Sequence, residues 1–131
     1  MKARTRSIWC ALAWTLTVPT HAQTQSLFTS IEQGRRLTES RCFACHSLDT
    51  HRVGPALQGV VGRQAGKAEG YLYSKALAAA THTWTVERLK AWLTDPESVV
   101  PGQEMNYRLD SPQDREDVVA YLVSISLAGK P

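Results

Sequence analysis

The heptapeptide Arg41-Cys-Phe-Ala-Cys-His-Ser47 places two thiols and an imidazole within five positions, at Cys42, Cys45 and His46. On a helical turn, residues at i, i+3 and i+4 share one face, so these three side chains address a single object. The spacing defines one site, and the rest of the chain has to say what occupies it.

The chain has 131 residues, 43% of them hydrophobic. It opens with an acid-free, basic stretch, Met1 to Ser7, followed by an apolar run from Ile8 to Val18. That run falls well short of the roughly 20 residues that cross a bilayer. It breaks at Pro19 and is followed by Thr20-His21-Ala22, with small residues where a signal peptidase reads. The pattern predicts a secretory signal over residues 1–22, cleaved after Ala22, and hence export to the periplasm. Polar threonines in the run argue against an uncleaved amphipathic anchor. Arg4 and Arg6 are not adjacent, so no twin-arginine signal is expected, and Cys10 lacks the small residues that precede a lipoprotein cysteine.

Cleavage leaves one domain, residues 23–131, large enough for a modest core. It removes Lys2, Arg4 and Arg6 and no acid, so the 15 basic residues fall to 12, against 12 acidic ones. The net charge of +3 thus belongs to the leader. Nucleic-acid binding loses its compositional support, and no nucleic-acid partner is expected. Of three cysteines, only Cys42 and Cys45 remain.

No stretch alternates apolar and polar residues as a half-buried strand does, and the periodic segments read as helices. From Leu27 to about Arg41, Leu27, Phe28, Ile31 and Leu37 fall on one stripe. Ser74 is placed to cap a short helix over Lys75 to Ala80. A third helix runs from about Thr85 to Thr94, with Val86, Leu89 and Leu93 on one side, and stops before Pro96. A fourth begins at Ser111-Pro112, carries Val118, Leu122 and Ile125 on one face and ends before Gly129. Between Ser47 and Gly70 lies a glycine-rich stretch with no periodicity. So long a loop in so small a domain is expected to wrap a large cofactor.

Three chemistries suit the cysteine-histidine cluster. A thioredoxin-like redox pair or disulfide expects a βαβ context, which is missing. A structural zinc site needs a second ligand pair, and only His51 and His82 remain. Covalent haem attachment needs two thiols to form thioethers with the porphyrin and an adjacent histidine to ligate the iron, which is what the motif supplies. The second axial ligand is then expected to be Met105, the only methionine left after cleavage, in the polar loop Pro101-Gly102-Gln103-Glu104-Met105. Packing alone explains a methionine there poorly. His82, in a polar Thr-His-Thr, reads as a solvated surface residue and is the second choice. His51 lies too near His46 in sequence to reach the opposite face.

Collinear with the motif are Gly34, Val53-Gly54-Pro55, Gly62-Arg63 to Gly66, Gly70-Tyr71-Leu72-Tyr73-Ser74, Trp84, Leu89 to Leu93 with Asp95-Pro96, Pro101-Gly102 with Met105, and Arg115 to Leu122. In this order and spacing the sequence resembles the class I c-type cytochromes, mitochondrial cytochrome c and its bacterial periplasmic relatives. The resemblance implies a small all-α fold of about four helices and long loops around one haem c. It implies that Pro55 accepts a hydrogen bond from the far nitrogen of His46, and that Arg63, Tyr73 and Trp84 bind the haem propionates.

The sequence departs from that family in three places. Trp92 stands where a tyrosine hydroxyl usually helps hold the methionine sulfur. Thr38 replaces an aromatic residue of the first helix, leaving Phe28 as the residue to compensate. Glu97, Ser98 and Glu104 occupy positions where mitochondrial members carry docking lysines.

With an imidazole and a thioether filling both axial positions in each oxidation state, little rearranges when one electron moves. The expected activity is one-electron carriage between redox protein partners by a monomer that is not an enzyme, with transient contact to membrane respiratory complexes. A fixed haem subunit of a periplasmic dehydrogenase is the alternative. A labile Met105 would instead give a weak peroxidase or gas sensor.

Overall fold

The computed structural model describes residues 21–128. Within them the chain forms five helical segments: α1 His21–Arg41, α2 Lys75–Ala78, α3 Val86–Thr94, α4 Pro96–Val99 and α5 Pro112–Ala128. Among the described residues there is no strand beyond one isolated bridge, Gln64 with Thr83. The apolar run and basic stretch of the predicted signal lie outside the described residues.

Helix boundaries follow local chemistry. Ser74 Oγ accepts from the backbone of Leu77, and Thr85 Oγ1 accepts from Arg88, so α2 and α3 are capped by their own preceding hydroxyls. Ser111 Oγ does the same for α5, accepting from the Asp114 N–H at 3.2 Å. Asp95 takes an extended backbone before Pro96, which ends α3 and starts α4 within one residue. The sequence reading stops at that break and misses α4, because four residues carry no period of their own. α2 closes at Ala78, two residues earlier than expected.

The molecule is organised by the crossing of α1 on α5. Gly34 lies against α5 so closely that a Cβ there would sit 1.8 Å from the Asp117 carbonyl oxygen and 2.9 Å from Tyr121 Cβ. Around this contact Ser30 hydrogen-bonds the Asp117 carboxylate. Thr38 is fully buried, with its hydroxyl satisfied by the Gly34 carbonyl at 2.8 Å. The buried face of α1 is therefore Gly34, Leu37 and Thr38. Leu27 and Phe28 are 56% and 68% exposed, which corrects the expected stripe. They lie one to two turns before the crossing, so Phe28 does not compensate for the missing aromatic residue. Thr38 needs no compensation, because a smaller side chain suits so close an approach.

The glycine-rich segment is irregular but tied down by backbone hydrogen bonds. Leu57 and Gln58 donate to Ser47 and Leu48. Gly62 donates to Trp84, Trp84 to Arg63 and Ala65 to His82, each at 2.9 Å. The Ser126 hydroxyl of α5 accepts from Val61 at 3.1 Å. The loop thus closes one side of the molecule without secondary structure of its own.

The Gly34 contact makes a direct test. Gly34→Ala is expected to force α1 and α5 apart and cost about 3 kcal/mol, at the upper end of overpacking effects. Denaturant unfolding measures it, and an unchanged midpoint contradicts the close crossing.

Candidate functional site

Past the end of α1 the chain makes one more helical turn, with the Cys42 N–H donating to Thr38 and the His46 N–H donating back to Cys42 at 2.8 Å. That turn does what the spacing predicts, presenting Cys42, Cys45 and His46 to one cavity of about 510 Å³. The size falls in the roughly 300–1,000 Å³ range of cofactor sites. Arg63, Tyr73, Trp84 and Met105 line the same cavity, as do Pro55 and Trp92. Besides Trp92, the eight site residues expected from the sequence therefore meet at one place, from six separate stretches of chain.

Burial pushes the Cys42 thiol up to about 11, with the neighbouring Cys45 adding to the effect. No disulfide joins the two. His46 is held by its outer nitrogen, whose N–H donates to the Pro55 carbonyl at 2.7 Å. A carbonyl only accepts, so the proton sits on Nδ1 and Nε2 keeps its lone pair for a metal. Burial lowers the His46 pKa and the bond to Pro55 partly offsets that, so the neutral, ligating form is favoured. Gly54 makes the arrangement possible. A Cβ there would lie 2.2 Å from His46 Cε1.

On the opposite sequence arm, Met105 is half-buried and its sulfur accepts the Trp92 indole N–H at 3.2 Å. The indole does take the place of the usual tyrosine hydroxyl. Its ring packs edge-on to Trp84 at 5.1 Å, and Trp84 in turn to His82 at 4.7 Å. His82 is half-buried in this ladder and does not line the cavity, which corrects its reading as a solvated residue and leaves it out of reach as a ligand. Its Nε2 is buried and unpartnered. His51 is spent on structure: Nε2 donates to the Glu69 carbonyl and Nδ1 accepts from the Ala56 N–H.

Arg63 supplies the clearest sign of an anionic guest. Its two terminal nitrogens donate to the carbonyls of Gln58 and Ala56, at 3.3 and 2.9 Å, while its buried Nε has no partner. An orphaned buried N–H on a cation is costly unless something accepts from it. Tyr73 accepts from the Ala68 N–H at 3.3 Å, and its own hydroxyl proton remains to be given. A propionate-bearing group fits this donor set, and the two thiols, imidazole and thioether fit an iron porphyrin.

A helical shell closed around one mostly apolar cavity, with two thiols and a histidine on one wall, defines a carrier of a covalently held haem. The family model for cytochrome c matches residues 31–126, and the chain belongs to that family. It is 36% identical over 98 residues to cytochrome c of Kluyveromyces lactis, covering 72% of this chain and 89% of that one. It is 38% identical over 96 residues to cytochrome c2 of Rhodopila globiformis, covering 71% and 91%. Among solved structures, cytochrome cH from Methylobacterium extorquens superposes with a TM-score of 0.68 at 40% identity, covering 72% of this chain and 97% of that one. As a cytochrome c, the protein carries one covalently attached haem c and serves electron transport, with redox partners and no enzymatic activity.

Gly54→Ala is expected to turn the His46 ring out of its bond to Pro55. The Nδ1–H of His46, which its bond to Pro55 should shelter in the native protein, should then exchange at least tenfold faster. Unchanged exchange would show that the ring tolerates the added methyl group.

Proposed function

We propose that the protein is a periplasmic one-electron carrier whose haem iron is ligated by His46 and Met105 and whose porphyrin is bound through thioethers to Cys42 and Cys45. The observation that carries this reading is the preparation of both ligands at one cavity: His46 is fixed through Nδ1 by Pro55, and the Met105 sulfur is fixed by Trp92. The haem supplies the chemistry, a single electron held as ferrous against ferric iron.

The chain does the rest. Pro55 orients the imidazole and makes it a stronger donor. A thioether favours ferrous iron over ferric more than a second imidazole would, and an apolar wall of Trp84, Leu89, Trp92, Leu93, Val118 and Leu122 penalises the extra ferric charge. Arg63, Tyr73 and Trp84 receive the propionates, so two carboxylates are held among donors without disturbing the iron. A sulfur anchored by a buried indole works against ligand loss, which favours electron carriage over peroxidase or gas-sensing chemistry.

Docking follows from the rim. Glu97, Ser98 and Glu104 are exposed, so a ring of lysines is replaced on the methionine side by two acids and a serine. Partners are met there through a small, short-lived interface. Among the described residues no helix is long and apolar enough to cross a membrane. Export is supported by the apolar run Ile8 to Val18 and the Thr20-His21-Ala22 site, with residues 23–131 as the single haem domain. A cut after Ala22 falls within the first turn of α1.

The test is mass and visible spectrum of the exported protein made alongside a haem-maturation system. One haem added to residues 23–131 is expected, with a sulfur-to-iron band at the red end of the ferric spectrum. Met105→Ala should abolish that band and lower the reduction potential by a sizeable part of the roughly 0.8 V over which axial ligands set haem potentials. A colourless protein weighing no more than its amino acids would overturn the reading.

A further inference from the structure

A thioether sulfur has two lone pairs. When one of them binds a metal, the sulfur carries four different substituents and becomes a stereocentre: Cγ, Cε, the metal and the lone pair left over. Passing from one hand to the other exchanges the roles of the two lone pairs. In this protein a donor is already placed on the sulfur, since the Trp92 indole N–H reaches Met105 Sδ at 3.2 Å. We propose that Trp92 is a positioning residue that fixes the handedness of the Met105 sulfur, occupying one lone pair so that only the other is free for the haem iron. This rests on the reading of Met105 as an axial ligand.

Both sides of the contact are held rigidly. Trp92 lies within α3, is 6% exposed, and has its ring edge-packed on Trp84, which is itself buried against His82. An indole has only two side-chain torsions, and neither is free in such packing. The Met105 backbone is pinned on both sides as well. Its N–H donates to Gln103 Oε1, and its carbonyl accepts from the Tyr107 N–H at 2.8 Å. The backbone thus fixes where the methionine stem starts, and the indole fixes which face of the sulfur looks away from it.

An indole differs from a hydroxyl in a way that matters for this role. It donates and never accepts, and it does not titrate in water. A hydroxyl can turn its proton elsewhere and accept instead, whereas Trp92 has one orientation and one function. The bias on the sulfur therefore persists at every pH at which the fold survives. The same N–H draws density from the sulfur, making the thioether a poorer partner for ferric iron and raising the potential.

The experiment compares the holoprotein with Trp92→Phe and Trp92→Tyr, using proton NMR of the ferric form and circular dichroism in the sulfur-to-iron band. The wild type is expected to show one sulfur hand: widely dispersed haem-methyl shifts and a dichroism of one sign that does not change with temperature. In Trp92→Phe the two hands should exchange, the methyl shifts converge, and the dichroism fall by half or more. The fraction with Met105 off the iron should rise roughly five- to tenfold, the effect of losing one hydrogen bond of ordinary net strength. Trp92→Tyr, which restores a donor, should recover part of the dichroism.

Unchanged dispersion and dichroism in Trp92→Phe would overturn the proposal. Should that variant fail to fold, the wild type decides alone, because exchange between two hands in the native protein is equally fatal. A wild type without any upfield-shifted Met105 methyl signal would instead remove the ligation reading itself, a result distinct from ligation that persists without a fixed hand.

Discussion

The hydrophobic core of this protein is at the same time the wall of its cavity. Trp84, Leu89, Trp92, Leu93, Val118 and Leu122 belong to the buried cluster and also line the cavity of the candidate site. A domain of this size has little apolar surface to spare, and it directs much of what it has inward at a prosthetic group. Haem binding then also stabilises the fold, because anything that binds the folded chain alone does so. The close crossing of α1 and α5 at Gly34 sets the geometry of that wall, and the loops complete it by hydrogen bonding with almost no secondary structure.

The two ends of the chain are matched at the site by the same physical device. Each candidate ligand atom has a second contact that points it: a carbonyl behind the imidazole and an indole N–H on the thioether. Such outer contacts cost little, yet they determine tautomer, orientation and donor strength. For the proposed His46 and Met105 ligation the consequence is small reorganisation, because neither side chain would have to find its place when the charge on the iron changes. Arg63 extends the logic to the periphery, with two of its nitrogens tied to backbone carbonyls and the third left over, buried, for an acceptor that the protein itself does not provide.

Helices with strong punctuation were legible. Ser74, Thr85 and Ser111 each cap the helix they precede, and the glycine-rich segment between Ser47 and Gly70 wraps the cavity as its lack of periodicity suggested. What failed had a physical cause in each case. α4 is too short to show a period, and Leu27 and Phe28 are apolar without being buried because α1 meets α5 only around Gly34. His82 sits among threonines in sequence, but a 4.7 Å edge contact with Trp84 takes it half out of water. The unpaired Arg63 nitrogen had no signal in the sequence at all.

Taken alone, the sequence determined the chemistry: Cys42, Cys45 and His46 at helical spacing, with Met105 as the one thioether besides Met1, select a haem because no other common guest needs that set. Tertiary structure decided how those groups are held. That Gly54 must lack a side chain for the His46 ring to fit, that Trp92 lands on the Met105 sulfur, and that Arg63 keeps one donor unspent are facts of distance between remote segments. Identity and spacing specify which bonds a chain is able to make, whereas packing of α1 on α5 and closure of the loops determine which of them are made.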